Sequence, residues 1–152
     1  MSTIHVRAQR ELEIAAPADI VFRMFTPKGE ELWIDAWRPR YIHPQDGTTI
    51  HGMVFATGDG DELTLWQMVE FDTTRHRAIY ARTTPGTRIG TVTVDVEAID
   101  PLNSRARIRY DMTALAEGPV LAPYLEPAFG QLIEGWGATI RARLPMLIAA
   151  LA

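Results

Sequence analysis

The sequence contains no cysteine. Disulfide bonds, thiolate catalysis and cysteine-ligated metals are therefore excluded, and a reducing compartment such as the cytoplasm is expected. Lysine is almost missing as well, since Lys28 is the only one, and the net charge is -4 at pH 7. Nucleic-acid binding requires clustered lysine and arginine, so this charge balance argues against a nucleic-acid partner.

Long apolar runs are also lacking. The longest, residues 144–152, has nine residues and contains Pro145, whereas a membrane-spanning helix needs about 20. The first eleven residues are polar and lack the apolar centre of a signal peptide. We therefore expect a cytoplasmic protein with no membrane span. The 152 residues, 47% of them hydrophobic, predict a single domain over residues 1–152 with a sizeable core.

Histidine is scarce and scattered, with four residues in the chain: His5, His43, His51 and His76. Their spacing matches no metal-binding motif, so we expect neither a metal nor another cofactor. The glycines at positions 58 and 60 indicate a turn rather than a phosphate loop, and no nucleophile elbow is present. The sequence therefore identifies no catalytic residue, although His51 would suit acid or base chemistry if its strand faced inward.

Short segments of alternating apolar and polar residues fill most of the chain and predict β-strands. The predicted strands cover residues 6–14, 50–56, 63–71, 77–83, 89–99 and 105–114, and residues 37–44, with two prolines, predict a strand or an irregular edge. Pro17 and Pro27 each suit a first helical turn, so two short helices are expected after the first strand. Short turns between consecutive strands favour antiparallel pairing.

The faces of these strands are clear in one region and ambiguous in another. Three valines share one face of residues 89–99, and acids and threonines occupy the other. Arginines alternate with apolar residues on 105–114, so Arg–Asp/Glu pairs are expected on an outer, solvated face. For 63–71 and 77–83 the register is open, because a shift of one residue exchanges the inward and outward side chains.

The chain ends in an amphipathic segment of about 25 residues, whose apolar steps of three and four predict one long helix with a single buried face. Its apolar positions are Leu125, Phe129, Leu132, Ile133, Trp136, Ile140, Leu144, Leu147, Ile148 and Leu151. Gly130 and Gly137 follow one edge of this stripe. Either the helix approaches the sheet closely there, or the missing side chains leave room for a ligand. Glu126, beside Pro127, is expected to cap the helix start.

Several stretches carry a family resemblance that covers nearly the whole chain. Residues 13–22, EIAAPADIVF, resemble the first strand and helix of the SRPBCC (START-like, helix-grip) superfamily. A branch of small stand-alone bacterial members is similar in further positions: residues 25–30, Trp33, Trp37, Pro39, Tyr41, Trp66, the Pro85-Gly86 turn and Tyr110.

This resemblance implies an α+β fold, in which a curved antiparallel sheet of about seven strands wraps around a long C-terminal helix. It also implies a hydrophobic cavity between the sheet and that helix. Members of the superfamily include lipid and hormone carriers, polyketide aromatases and cyclases, and a few lyases, so the fold does not by itself determine the function. No catalytic motif of the superfamily transfers to these positions.

Large rings with one polar atom suit a mostly apolar ligand pocket. The candidate ligand-binding residues are Trp66, Tyr80, Tyr110, Met112, Phe129, Ile133, Trp136, Arg82 and His51. An inward Arg82 would anchor a carboxylate or enolate oxygen of a ligand, but the favoured expectation is a solvated surface ion pair, for which Glu70 lies on the neighbouring strand. The leading hypothesis is a small hydrophobic or aromatic molecule bound between sheet and helix without catalysis.

Two other functions remain open from the sequence. A polyketide cyclase/dehydratase-like or lyase-like enzyme would use the same cavity, with His51, Arg82 or Tyr80 as acid, base or oxyanion donor. A protein-interaction or dimerisation module would pack the aromatic and proline-rich stretch from Trp33 to Tyr41 against its partner, for which a second copy in a homodimer is one candidate.

Overall fold

A computed structural model describes residues 4–152, so Met1 to Thr3 of the predicted domain lie outside the described part. The described residues form seven strands, β1 (His5–Ile14), β2 (Arg40–His43), β3 (Val54–Thr57), β4 (Thr64–Asp72), β5 (Arg77–Thr84), β6 (Arg88–Asp100) and β7 (Asn103–Ala114). Four α-helices accompany them, α1 (Ala18–Met24), α2 (Pro27–Glu30), α3 (Ala128–Ala142) and α4 (Leu144–Leu151). Two single 3₁₀ turns occupy Gly60–Glu62 and Ala122–Tyr124.

All seven strands join one antiparallel sheet in the order β1-β7-β6-β5-β4-β3-β2. Consecutive strands from β2 to β7 are neighbours, and β1 pairs with β7, so the predicted seven-stranded antiparallel sheet is confirmed. The two short helices after β1 are confirmed as well. Strands β2 and β3 begin later than predicted, because Pro39 has no N–H to donate and Gly52 turns the chain with a φ of +83°.

The register of β4 against β5 is fixed by the structure. Trp66 lies opposite Arg82, and Met68 lies opposite Tyr80. Trp66, Met68 and Tyr80 are buried, whereas Val69 is exposed. The set that contains Trp66 therefore faces inward, which resolves the alternative that the alternation left open.

Ion pairs cover the outer face of the sheet, as predicted. Arg105 on β7 donates to Glu97 on β6 at 2.9 Å. Arg77 on β5 donates to both carboxylate oxygens of Asp95 on β6, at 2.9 and 3.0 Å. Each cross-strand pair of this kind contributes about 0.2–1 kcal/mol.

The predicted C-terminal helix is confirmed, and it is divided into two consecutive helices. Arg143 forms the turn between α3 and α4. Pro145 in the first turn of α4 accounts for the division, because its ring would collide with the carbonyl of Arg141 and it has no N–H to donate. The fully buried side chains that attach these helices to the rest of the core are Phe129, Ile133, Ile140 and Leu147.

The glycines of α3 allow the helix to approach the sheet. A Cβ atom on Gly130 would lie 2.7 Å from the Arg10 guanidinium, and one on Gly137 would lie 3.0 Å from the Leu12 side chain. Both Arg10 and Leu12 belong to β1. Of the two alternatives from the sequence, close packing is therefore correct, and the glycines do not provide space for a ligand.

Glu126 caps the start of α3, as predicted. One oxygen of its carboxylate accepts a hydrogen bond from the backbone N–H of Gly130 at 2.9 Å, and the other pairs with Arg10. The Arg10 hydrogen bond is the main reason that the pKa of Glu126 lies below its usual value. None of the helices found in residues 4–152 combines the length and apolar character that crossing a membrane requires.

Candidate functional site

A cavity of about 240 Å³ lies between the inner face of the sheet and the helices α2 and α3. For scale, an engineered apolar cavity of about 150 Å³ accepts benzene. The aromatic lining residues are Phe25, Trp37, Phe55, Trp66, Tyr80, Tyr110 and Trp136. The aliphatic lining residues are Pro27, Ile34, Val92, Val94, Ile108 and Leu132, and the two ionisable lining residues are Glu30 and Arg82. The space is therefore sufficient for one substituted ring or two fused rings.

The aromatic wall presents ring faces and edges rather than polar atoms. The indole N–H of Trp66 donates to the Thr57 hydroxyl at 2.9 Å, and that of Trp37 donates to the Pro27 carbonyl at 2.9 Å. The Tyr80 hydroxyl donates to the carbonyl oxygen of Phe25 at 2.8 Å. Because these donors already have acceptors in the protein, the wall that they form is apolar towards the cavity.

Arg82 points inward, so the expectation of a solvated surface pair is wrong. Its guanidinium lies over the ring of Trp66, 4.5 Å from the centroid. Its Nε atom is buried and has no hydrogen-bond partner within residues 4–152. Glu70 binds Arg77 instead, at 2.8 Å, because the bulge after Met68 changes the register at that point of β4.

Glu30 is the other ionisable side chain of the lining, and the sequence did not identify it. It is the last residue of α2, a single turn that Thr26 caps by accepting the Gly29 N–H at 3.0 Å. Within residues 4–152 its carboxyl group forms neither an ion pair nor a hydrogen bond. Burial raises the pKa of Glu30 well above its ordinary value. Burial therefore shifts the protonation equilibrium of this group towards the neutral acid.

Tyr110 completes the polar part of the lining. Its ring stacks on Tyr124, with centroids 5.2 Å apart, and meets the edge of Phe129 at 5.5 Å. Burial raises the pKa of Tyr110, whereas the positive charge of Arg82 acts to lower it and Glu30 acts to raise it. The phenol is therefore close enough to both charged side chains to respond to each of them.

Replacing Glu30 with glutamine is expected to stabilise the protein at high pH. A raised pKa means that the folded protein holds this proton more tightly than the unfolded chain. The stability of the wild type therefore falls as the pH rises from the ordinary pKa of 4.5 through the folded-state value. Denaturant unfolding between about pH 4 and about pH 9 should show that the free energy of unfolding of Glu30→Gln increases relative to that of the wild type as the pH rises. The exposed control Glu117→Gln should show no such trend, and a pH-independent difference for Glu30→Gln would contradict the explanation.

The structure brings five of the nine predicted ligand residues to the cavity, namely Trp66, Tyr80, Tyr110, Trp136 and Arg82. Met112, Phe129 and Ile133 are at most 1% exposed and lie in the packed core, outside the lining. The placement of His51 needs correction, because it is exposed in the turn before β3 and does not face the cavity. The roles of the five lining residues in ligand binding stay predictions.

Sequence reasoning missed Glu30, Trp37 and Phe55 as lining residues. The Thr26-Pro27 pair did indicate the start of a helix. A helix that begins there has Glu30 at the end of its first turn. In the stretch from Trp33 to Tyr41, which the interaction hypothesis used, the two tryptophans are turned inward: Trp33 is 2% exposed and Trp37 lines the cavity. In residues 4–152 no three His, Asp or Glu side chains are grouped as metal ligands would be.

Comparison with solved structures identifies the architecture. Norcoclaurine synthase from Thalictrum flavum, in complex with dopamine and hydroxybenzaldehyde, superposes with a TM-score of 0.65 at 15% identity, over 94% of this chain and 88% of that one. The Zhui aromatase/cyclase from Streptomyces sp. R1128 has a TM-score of 0.56 at 15% identity, over 97% and 91%. Major latex-like protein 151 from Panax ginseng has a TM-score of 0.68 at 12% identity, over 93% and 98%.

The chain has the helix-grip fold. The fold that the resemblance implied is thereby confirmed, namely the α+β class and the sheet that holds a C-terminal helix. No family model matches the sequence, and no curated protein matches it. At 12–15% identity the helix-grip neighbours establish the fold alone, so the function depends on the cavity.

Proposed function

We propose that this helix-grip protein binds a small hydrophobic or aromatic molecule, without catalysis, in the cavity between the sheet and α3. The observation that carries the proposal is a cavity of about 240 Å³ with seven aromatic residues in its wall. Mostly apolar pockets with a few oriented polar groups are typical of small-molecule sites. One structural neighbour was solved with dopamine and hydroxybenzaldehyde bound, and another is an aromatase/cyclase, which is consistent with an aromatic ligand here.

Binding of naphthalene should identify the cavity in solution. Three of the four tryptophans line it, Trp37, Trp66 and Trp136, whereas the fourth, Trp33, does not. Titration should therefore shift the indole N–H signals of the three lining residues in a ¹H–¹⁵N spectrum and leave that of Trp33 least affected. Uniform small shifts, or none at saturating naphthalene, would contradict the proposal.

Filling the cavity should abolish this binding. Val94 on β6 lines the cavity and is 3% exposed, so the ring of a phenylalanine there would enter the empty space. We expect Val94→Phe to weaken naphthalene binding at least about tenfold while the melting temperature changes little, because there is space for the added atoms. Calorimetric titration measures the first effect and circular dichroism the second.

The matched control for Val94→Phe is Val69→Phe, the same substitution on the outer face of β4, where Val69 is 43% exposed. This control should bind naphthalene like the wild type. If the interior were fully packed, Val94→Phe would instead lower the free energy of unfolding by about 1–3 kcal/mol through overpacking.

A polyketide cyclase/dehydratase-like or lyase-like enzyme in the same cavity is the second candidate. The observation that favours it is the Glu30 carboxyl group, because a carboxyl with a raised pKa suits proton transfer near neutral pH. His51 and Tyr80 do not serve this role, since His51 lies outside the cavity and the Tyr80 hydroxyl is bound to Phe25.

Proton exchange in D₂O tests the enzyme. Glu30 as a base would take a proton from the methyl carbon of 2-acetylnaphthalene and leave an enolate. The carboxyl group would then exchange that proton with D₂O and return a deuteron to the same carbon. Mass spectrometry should then show deuterium entering faster with the wild type than with Glu30→Gln. Equal rates for both proteins would exclude Glu30 as a general base for this ketone.

A further inference from the structure

We infer that Glu30, Arg82 and Tyr110 form a polar subsite inside the cavity that selects aromatic ligands carrying a hydrogen-bond-accepting oxygen, such as a ketone. The inference rests on the proposed function, because it specifies the chemistry of the molecule that the cavity takes. It is carried by three polar side chains that line one cavity and form no hydrogen bond or ion pair within residues 4–152.

Arg82 supplies the first donor. A guanidinium has five N–H groups and no acceptor atom, so each group needs an oxygen or a ring face opposite it. The face of Trp66 lies 4.5 Å from the guanidinium carbon, and the Nε–H is buried without an acceptor within residues 4–152. The terminal Nη–H groups also form no hydrogen bond within these residues, and they are the donors that a ligand oxygen in the cavity can reach.

Tyr110 supplies the second donor. Stacking on Tyr124 and the edge contact with Phe129 fix the ring, so the direction of the hydroxyl is set by the core. In residues 4–152 this hydroxyl has no hydrogen-bond partner, in contrast to that of Tyr80, which donates to Phe25. The two tyrosines line the same cavity, and Tyr110 is the one whose proton remains for a ligand.

Glu30 supplies the third donor as long as it is protonated. No ion pair joins it to Arg82, although both line the cavity, so the space between the two groups is open to a ligand. The other titratable groups nearby are Tyr41 on β2, Tyr80 on β5 and Tyr110 on β7, and burial and, to a lesser extent, Glu30 raise the pKa of all three. Burial raises the pKa of Glu30 itself, so this acid holds its proton more tightly than an exposed glutamate does, and in its neutral form it donates to an acceptor oxygen.

Three donors around one space favour a ligand that brings lone pairs. A ketone oxygen accepts two hydrogen bonds, and its aromatic part would pack against Trp37, Phe55 and Trp66. Binding is then linked to the proton on Glu30. When that acid ionises, it presents lone pairs to the ketone oxygen and the affinity decreases.

A pair of ligands of equal shape tests the subsite in the wild-type protein. 2-Acetylnaphthalene carries the acceptor oxygen, and 2-isopropylnaphthalene replaces it with a methyl group. Calorimetric titration should give an affinity for the ketone about tenfold to a hundredfold higher, as expected for a hydrogen bond to a charged donor. 2-Naphthoate in the same experiment distinguishes a neutral ketone from an anion as the preferred acceptor, and preference for either oxygen over isopropyl supports the subsite.

Variants then assign the preference to the three residues. Arg82→Met removes the guanidinium but keeps the apolar stem, and Tyr110→Phe removes the hydroxyl but keeps the ring. Each substitution should reduce the preference for the ketone at least about fivefold. The affinity of the wild type for the ketone should fall as the pH rises through the raised pKa of Glu30, whereas that of Glu30→Gln, with an amide donor that does not ionise, should not. Circular dichroism establishes that each variant is folded, and Tyr110→Phe, which removes one oxygen, is the least disruptive.

The outcomes separate this inference from the proposed function. If both naphthalenes bind the wild type equally, the cavity binds ligands but the polar subsite is refuted. If neither they nor naphthalene bind, the proposed function fails and the subsite fails with it. A ketone preference that survives in Arg82→Met and in Tyr110→Phe would also refute the assignment.

Discussion

Replacing Phe129 with alanine is expected to lower the free energy of unfolding by about 3–5 kcal/mol. Phe129 is fully buried in α3 and meets the ring of Tyr110 edge-on, with centroids 5.5 Å apart. Its removal would leave a void directly under the point where the helix rests on the sheet, and the rigid strands of the sheet would fill little of it. Equilibrium urea denaturation measures the change.

The matched control for Phe129→Ala is Leu132→Ala, one turn further along the same helix. Leu132 is 39% exposed at the cavity wall, so its truncation should cost about 1 kcal/mol or less. Both substitutions end in alanine, so the change in helix propensity is small for each. Equal losses for the two variants would mean that α3 is not held on the sheet by the buried side of its apolar stripe.

Replacing Gly29 with alanine is expected to destabilise the protein by about 1–3 kcal/mol, although alanine is normally the better helix residue. A Cβ atom at Gly29 would lie 1.8 Å from the carbonyl oxygen of Arg23 and 2.9 Å from its carbonyl carbon. These are backbone atoms of α1, so the contact cannot be relieved by rotating a side chain. Helix α2 would have to move away from α1, and Glu30 would move with it.

Gly135→Ala is the control for this substitution. A Cβ atom there would meet nothing within 4 Å, so alanine should stabilise α3 by about 0.5–1 kcal/mol. Thermal or urea unfolding of both variants should therefore give changes of opposite sign. Equal stabilisation by the two alanines would show that α2 does not pack on α1 as described. In Gly29→Ala, the ketone preference inferred for the cavity should weaken too, since it depends on the position of Glu30.

The alternation of side chains made much of the sheet predictable. In β7 and in the central part of β6 apolar residues alternate with polar or charged residues, and a strand places the two sets on opposite faces whatever its neighbours are. The outward Arg105–Glu97 pair and the inward Tyr110 follow directly from that period. The apolar stripe of α3 was predictable for the same reason, with the helical period in place of the strand period.

Alternation failed where the register was interrupted. The bulge between Met68 and Glu70 places Glu70 beside Arg77, and it is the pairing of β4 with β5 that directs Arg82 into the cavity. Nothing in the local sequence distinguishes an inward arginine from a solvated one. His51 was misplaced for a related reason, since the strand expected to carry it begins only at Val54.

The sequence by itself determined the order of strands and helices, the inner and outer faces of the regular strands, and through its resemblance the helix-grip architecture. Only the tertiary structure decided that a cavity is present and that Glu30 and Arg82 face it. The physical reason is that periodicity orients side chains within one element. The volume left between elements, and the partners of a buried charge, depend on how α2, α3 and the sheet pack together, as the close contact of Gly29 with Arg23 shows.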